Sequence, residues 1–273
     1  MAQRNGIADY EFVRPIGEGN YGEFYVARRP PRLPIDDELV AVKVLSGPTT
    51  DDTFRRATRE LKLFASVRSP YLVALFDAGQ EDGTFYYAMA YHPLGSLAAP
   101  ARPLERPEVL RAVAHAARAA DALHEAGVVH RDIKPANILL HDEGAHLSDL
   151  GLAQILNPGQ TTTGVGSVTA VEYLDPAIVR GEPATRATDI YALGATLHRA
   201  VSGMGIHGDL PDRDPLLALR RVLSQPPAVA PGLDPAVAQI VTACIDPEPS
   251  NRPPTALVVA EAIEALPVTG ATA

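Results

Sequence analysis

The chain has 273 residues, 46% of them hydrophobic and 21% charged, with a formal net charge of -9 and one cysteine. That length suffices for one large domain or two small lobes with a sizeable core. The acidic balance argues against non-specific nucleic-acid binding, which needs a basic face, and a lone Cys244 excludes an internal disulfide, so a reducing compartment fits.

The N-terminus, MAQRNGIADYEF, is polar and lacks an apolar core, so no secretory signal is expected there. From Tyr10 the chain reads as short strands. Tyr10 to Ile16, Gly22 to Arg28 and Leu39 to Leu45 are rich in Val, Phe, Tyr and Ile, with the proline-broken RRPPRLPIDDE between the second and third. Asp52 or Thr53 caps a helix in which Phe54, Ala57, Leu61, Phe64 and Ala65 recur at helical spacing. Two more strands are expected around Leu72 to Phe76 and Phe85 to Ala90. Pro93 and Gly95 punctuate a short linker, beyond which the chain turns helical. Pro107 to Ala126, Thr188 to Val201, Pro215 to Leu223, Pro235 to Ile245 and Pro254 to Leu266 all read as helices. The last apolar stretch, Ala256 to Val268, is broken by Glu261 and Glu264 and is too short to span a bilayer, so no membrane segment is expected within this chain. The PVTGATA tail has the composition of a linker opening, which leaves room for a longer natural chain. The expected architecture is α+β: a strand-rich small lobe carrying one helix, joined to a helical large lobe, with a ligand cleft between them.

Four segments carry chemistry. Gly17-Glu18-Gly19-Asn20-Tyr21-Gly22 lies between two strands, and its glycines let backbone amides approach phosphate oxygens. A dinucleotide site would place a helix after such a loop, and a plain glycine-rich hairpin is the other reading. Val40-Ala41-Val42-Lys43 ends an apolar run on an ammonium, which is either a solvated strand end or the partner of an anion, with Glu60 on the next helix the obvious carboxylate. His130-Arg131-Asp132-Ile133-Lys134-Pro135-Ala136-Asn137 matches every specified position of H-R-D-x-K-P-x-N. Asp149-Leu150-Gly151 follows two short strands, Ile138 to Leu140 and His146 to Ser148, around the turn His141 to Gly144. Such a hairpin folds back and sets Asn137 beside Asp149, an amide and a carboxylate oxygen suited to magnesium.

With these segments the chain resembles a eukaryotic-type serine/threonine protein kinase domain, bacterial-like, over roughly Tyr10 to Leu266. The resemblance implies a bilobal protein-kinase-like fold: an N-terminal lobe over residues 1–92 with the nucleotide loop, an antiparallel sheet and one main helix, a mostly helical C-terminal lobe over 93–266, and a tail over 267–273. It implies an ATP-dependent enzyme using Mg²⁺ and phosphorylating serine or threonine hydroxyls of protein substrates, its own included. In that frame Gly17, Gly19 and Gly22 cover the phosphates, and Lys43, paired with Glu60, holds them. Phe24, Ala41, Met89 at the gatekeeper position, the backbone of Ala90 and His92, and Leu139 surround adenine. Asp132 orients the acceptor hydroxyl, Lys134 contacts the γ-phosphate, and Asn137 and Asp149 hold the metal. Asp189 to Gly194 resembles the element that anchors the catalytic loop, and Arg252-Pro253 the late R-P pair. The family also implies a cytoplasmic setting, alone or as the cytoplasmic part of a longer membrane protein, and allows a homodimer.

The chain departs from the family at several positions. Phe24 stands where valine is usual, and Leu150 where phenylalanine is. The A-P-E triplet reads Asp175-Pro176-Ala177, which removes the glutamate that pairs with the late arginine and predicts an Arg252 without its buried partner. The G-T-x-x-Y pattern reads Thr169-Ala170-Val171-Glu172-Tyr173. These changes motivate the alternative of a pseudokinase that binds nucleotide or a partner without transfer. The segment Gly159 to Thr169 is predicted to be mobile, with Thr161, Thr162, Thr163, Ser167 and Thr169 as candidate phosphorylation sites and Arg131 as the receiving cation. His130 is read as a packed structural histidine, Cys244 as a buried hydrophobe, and the scattered histidines offer no zinc motif.

Overall fold

The computed structural model describes residues 5–19, 22–46, 50–149, 171–211 and 214–267. The chain forms two compact units, the first containing residues up to Ser66 together with Val73–His92, the second containing Val67–Leu72 and the described residues from Pro93 onward.

The first unit is built on a six-stranded antiparallel sheet. Its strands are β1 (Gly6–Ile7), β2 (Tyr10–Gly19), β3 (Gly22–Arg28), β4 (Leu39–Leu45), β5 (Leu75–Glu81) and β6 (Thr84–Ala90), in the spatial order β1-β2-β3-β4-β6-β5. Alternation decides the faces, since residues two apart share a side. Val40, Val42 and Val44 of β4 join Tyr10, Tyr25 and Tyr86 in one buried cluster. Ala41, Lys43 and Leu45 therefore lie on the other side. Helix α1 (Asp51–Ser66) buries Ala57, Leu61 and Phe64, and its Phe54 meets Phe85 edge-on at 5.5 Å. The proline-rich connector is pinned rather than loose. Leu33 is buried, and Arg32 donates to Asp9 from Nε at 2.6 Å and also to Asp77.

The strand expected at Leu72 to Phe76 runs instead over Leu75–Glu81. Asp77, Gln80 and Glu81 make this run polar and hide it from a hydrophobicity reading. Two features explain the strand. The Asp77 carboxylate accepts from Tyr10 Oη at 2.8 Å, and Asp82-Gly83, both at positive φ, form the tight turn that closes the β5–β6 hairpin. Leu72 belongs to the second unit, where it forms an isolated bridge with Leu147.

The second unit is mostly helical: α2 (Arg106–Glu125), the single turn α3 (Pro176–Val179), α4 (Arg186–Ser202), α5 (Pro215–Ser224), α6 (Pro235–Cys244) and α7 (Ala256–Glu264). Asp214, Asp234 and Thr255 cap α5, α6 and α7 by accepting from first-turn backbone amides, and proline opens α5 and α6. The alanines of α2 are buried around most of its circumference, and their small size lets α4, α7 and a hairpin pack close. That hairpin is β9 (Ile138–His141) and β10 (Gly144–Leu147), extended by the two-residue strands β7 (Gly95–Ser96) and β8 (Ala99–Pro100) into the order β10-β9-β7-β8. Gly194 of α4 faces Cys244 of α6, where an added Cβ would stand 2.5 Å from the cysteine Cβ, so the thiol is a packing group. Burial pushes that thiol up to about 12. No described helix is long and apolar enough to cross a membrane.

Candidate active site

In the first unit, direct cross-strand pairs set the geometry. Phe24 lies opposite Lys43, and Lys43 opposite Tyr87; Val26 lies opposite Ala41, and Ala41 opposite Met89. Partners across an antiparallel pair project to the same face, so Phe24, Ala41, Lys43 and Met89 share one side of the sheet, turned away from the valine cluster. Tyr87, which the sequence reading misses, belongs to this face; its position two before Met89 is the signal that could have found it. The Lys43 ammonium stands 4.7 Å from the Phe24 ring centroid and 5.9 Å from that of Tyr87. Glu60 is half-buried on α1.

The glycines of the first motif differ from one another. At Gly22 an added Cβ would collide with the Val44 carbonyl oxygen, so close β3–β4 packing demands glycine there. At Gly17 nothing lies within 4 Å. At the end of β6 the Ala90 amide donates to Ala74 O at 2.9 Å, and the His92 ring reaches back to the Ala90 carbonyl at 3.2 Å.

In the second unit the H-R-D segment is held by a buried carboxylate from α4. Asp189, 1% exposed, accepts from the His130 amide and from the Arg131 amide, both at 2.8 Å, and meets His124 Nε2 at 2.8 Å. Arg131 adopts a left-handed φ of 70°, a strained conformation that those two amide bonds hold in place. His130 is fully buried. Its Nε2 pairs with Ser148 O at 3.0 Å and its Nδ1 accepts from the Asp132 amide at 3.3 Å. Both nitrogens are engaged as a neutral ring requires, and burial lowers its proton affinity further. His130 is therefore a bracket, as the sequence suggests.

The bracket aims Asp132. Lys134 Nζ donates to both carboxylate oxygens at 2.8 Å. Asn137 Nδ2 donates to the Asp132 carbonyl at 2.7 Å and to Oδ2 at 3.0 Å. With its amino group turned to Asp132, Asn137 presents its amide oxygen on the opposite side. The β9–β10 hairpin pairs Ile138 with Leu147, and the Ser148 amide donates to Asn137 O at 2.8 Å. Asp149, buried and at a φ of 58°, follows directly. A carboxylate and an amide oxygen fixed by one hairpin fit a small hard cation, and no larger cluster of His, Cys, Asp or Glu that could hold an ion occurs among the described residues. Leu139 sits on β9 opposite His146 and Ser96.

One expectation is overturned. Arg252 does have a buried partner: it donates from Nη1 to Asp175 Oδ2 and from Nη2 to Oδ1 at 3.3 Å, with both side chains 1% exposed. The carboxylate sits two residues before Ala177, where the family places its glutamate. Asp175 also accepts from the Ala177 amide at 2.9 Å, and Arg252 further donates to the carbonyls of Ala187 and Asp246 at 2.8 Å each. Nearby, burial raises the Glu172 carboxyl above its ordinary range, against the opposing pull of Arg199 at 3.7 Å. Asn20, Tyr21, Leu150, Gly151, Ala170 and the candidate phosphorylation sites Thr161, Thr162, Thr163, Ser167 and Thr169 lie outside the described residues.

Comparison with known proteins identifies the family of the chain. A family model described as protein kinase domain matches residues 10–263. The serine/threonine-protein kinase PknK of Mycobacterium tuberculosis is 34% identical over 262 residues, 93% of this chain and 23% of the relative. PknJ of Mycobacterium bovis is 32% identical over 280 residues, 97% of this chain and 46% of the relative, so the chain spans less than half the length of either protein. Among solved structures, a mutant form of the PknI kinase domain of Mycobacterium tuberculosis superposes with a TM-score of 0.68 at 24% identity, covering 97% of this chain and 98% of that one, which supports the shared fold. The chain belongs to the protein kinase domain family.

Proposed function

We propose that this chain transfers the γ-phosphoryl of ATP to serine and threonine hydroxyls of proteins, its own included. The observation that carries the reading is the state of Asp132: its carboxylate is oriented by Lys134 and Asn137, and its loop is fixed by Asp189. Phosphoryl transfer asks mainly for alignment and for cations where charge sits. Asp132 orients the acceptor hydroxyl and takes its proton, and Lys134, beside it, steadies the transferred group. Residues 1–92 are proposed as the nucleotide lobe. There Lys43 holds phosphate oxygens, with Glu60 as its partner in the transferring state, and the loop of Gly17, Gly19 and Gly22 lies over them. Phe24, Ala41, Met89 and Leu139 contact the base, whose polar edge meets the Ala90 carbonyl and the His92 backbone. Residues 93–266 are proposed as the catalytic lobe, where Asn137 and Asp149 would hold Mg²⁺, which when bound neutralises phosphate charge. The names of the relatives support the serine/threonine assignment, and their greater length supports a kinase domain that forms one part of a longer protein. A cytoplasmic setting is proposed with it, since that is where ATP is supplied.

The test is radiolabel transfer from Mg-ATP to the protein itself and to a generic basic substrate. The native chain is expected to label, and Asp132→Asn to lose about 10²- to 10⁴-fold in rate. If neither protein labels anything while both bind Mg-ATP, the pseudokinase reading replaces this one. Mass spectrometry of the labelled product would show whether Thr161, Thr162, Thr163, Ser167 or Thr169 is modified.

A further inference from the structure

We propose that Phe24 is a positioning residue for Lys43, its ring and that of Tyr87 forming an aromatic rest for the ammonium. The inference rests on the reading of Lys43 as the phosphate-holding cation. It departs from that reading in giving Phe24 a task other than lining the adenine site.

The register carries the argument. Phe24, Lys43 and Tyr87 form one row across β3, β4 and β6, each directly opposite the next, on one face of the sheet. Side chains in such a row are within reach without distortion of the strands. The ammonium lies within cation–π range of both centroids, at 4.7 and 5.9 Å, and Tyr87 is buried. Tyr87 is thereby a fixed floor and Phe24 the nearer, half-exposed contact.

An aromatic rest differs from a carboxylate partner in one respect that matters for this site. A carboxylate offsets the charge of the ammonium it holds. A ring attracts the cation through its quadrupole and adds no net charge. Whatever anion meets Lys43, the two rings confine its long, rotamer-rich stem and subtract nothing from its pull on phosphate oxygens. The bulk at Phe24, a narrowing of the site when only size is considered, becomes a guide for the lysine.

The experiment uses the full chain. Thermal midpoints of the nucleotide-free native protein, Phe24→Leu, Lys43→Met and the double variant form a cycle that isolates the ring–ammonium term. The expected result is non-additivity: the double variant loses less than the two single losses combined, by about 1–4 °C for a chain of this size. Steady-state kinetics then follow Phe24→Leu, Phe24→Tyr and Phe24→Trp. Leucine keeps apolar bulk without a π face and is expected to raise the KM for ATP about 3- to 10-fold with kcat changed less, whereas tyrosine and tryptophan restore it. Additive midpoints overturn the proposal. So does an unchanged KM in Phe24→Leu, or a raised KM that neither aromatic variant rescues, which would leave Phe24 as a wall shaped for adenine. If the native chain transfers no phosphate, the proposed function falls, while the midpoint cycle still decides whether the ring holds the ammonium.

Discussion

The two units organise their candidate site residues by different means. In the first, the backbone ladder does the placing: Phe24, Ala41, Lys43 and Met89 share a face because strand residues alternate. In the second, buried charge does the placing: Asp189 grips two backbone amides, and Asp175 grips Arg252. A flat wall follows from regular secondary structure. A loop with a left-handed arginine in it does not, and needs a carboxylate inside the protein to define its path. The unit that orders an irregular loop should therefore be the one sensitive to loss of single charges.

The sharpest way to break that contrast is Arg252→Met. It strands the Asp175 carboxylate in the interior and is expected to cost about 3–5 kcal/mol, read by urea or thermal unfolding. The pair Asp175→Leu with Arg252→Met removes both charges and is expected to recover a good part of the loss. If the double variant is no better than the sum of the single ones, the buried pair is not what the second unit depends on.

Acidification probes the same unit more gently. His207 is buried beside Tyr191, whose hydroxyl lies 3.2 Å from Nε2, and burial with the nearby Arg221 charge depresses its pKa from 6.5 to about 4. The folded protein keeps the ring neutral, while the unfolded chain takes up a proton below 6.5. Stability is therefore full above pH 6.5 and falls as pH drops toward 4, by on the order of 2–3 kcal/mol for this group. Burial lowers His115 and His198 as well and adds to the same slope. His207→Gln should flatten the profile of unfolding midpoint against pH; an unaltered slope would remove His207 from the account.

The smallest effects belong to the first unit. Gly22→Ala drives a methyl into the Val44 carbonyl and is expected to cost about 1–3 kcal/mol. Gly17→Ala meets open space and should stay within about 0.5 kcal/mol of the native chain, so a weaker ATP affinity in that variant would report on the loop alone. Equal destabilisation by the two substitutions would show that the sheet does not set the glycine requirement.

How much was legible follows the same division. Strands β3 and β4 carry β-branched and aromatic runs, and their bounds can be read from the letters. Strand β5 could not, because its run is polar and its Asp77 answers to Tyr10 and Arg32 from distant parts of the chain. The pairs β1, β7 and β8 are two residues long and carry no periodic signal. The turn from His141 to Gly144 announced the hairpin that brings Ser148 to Asn137. The spacing of Tyr87 from Met89 announces its face but not its place beside Lys43, and nothing local announced that Asp175 would meet Arg252, since both contacts depend on tertiary register.

The Asp175–Arg252 contact bears on how such chains are sorted. An alignment scored column by column finds alanine at position 177 and records a missing acid. The guanidinium, 77 residues beyond Asp175, responds only to where a negative oxygen stands in space, and an aspartate two positions upstream of Ala177 supplies one. Relatives with the same shifted acid should be grouped by this pairing, and degenerate triplets counted as losses of function only where no neighbouring carboxylate can reach the arginine.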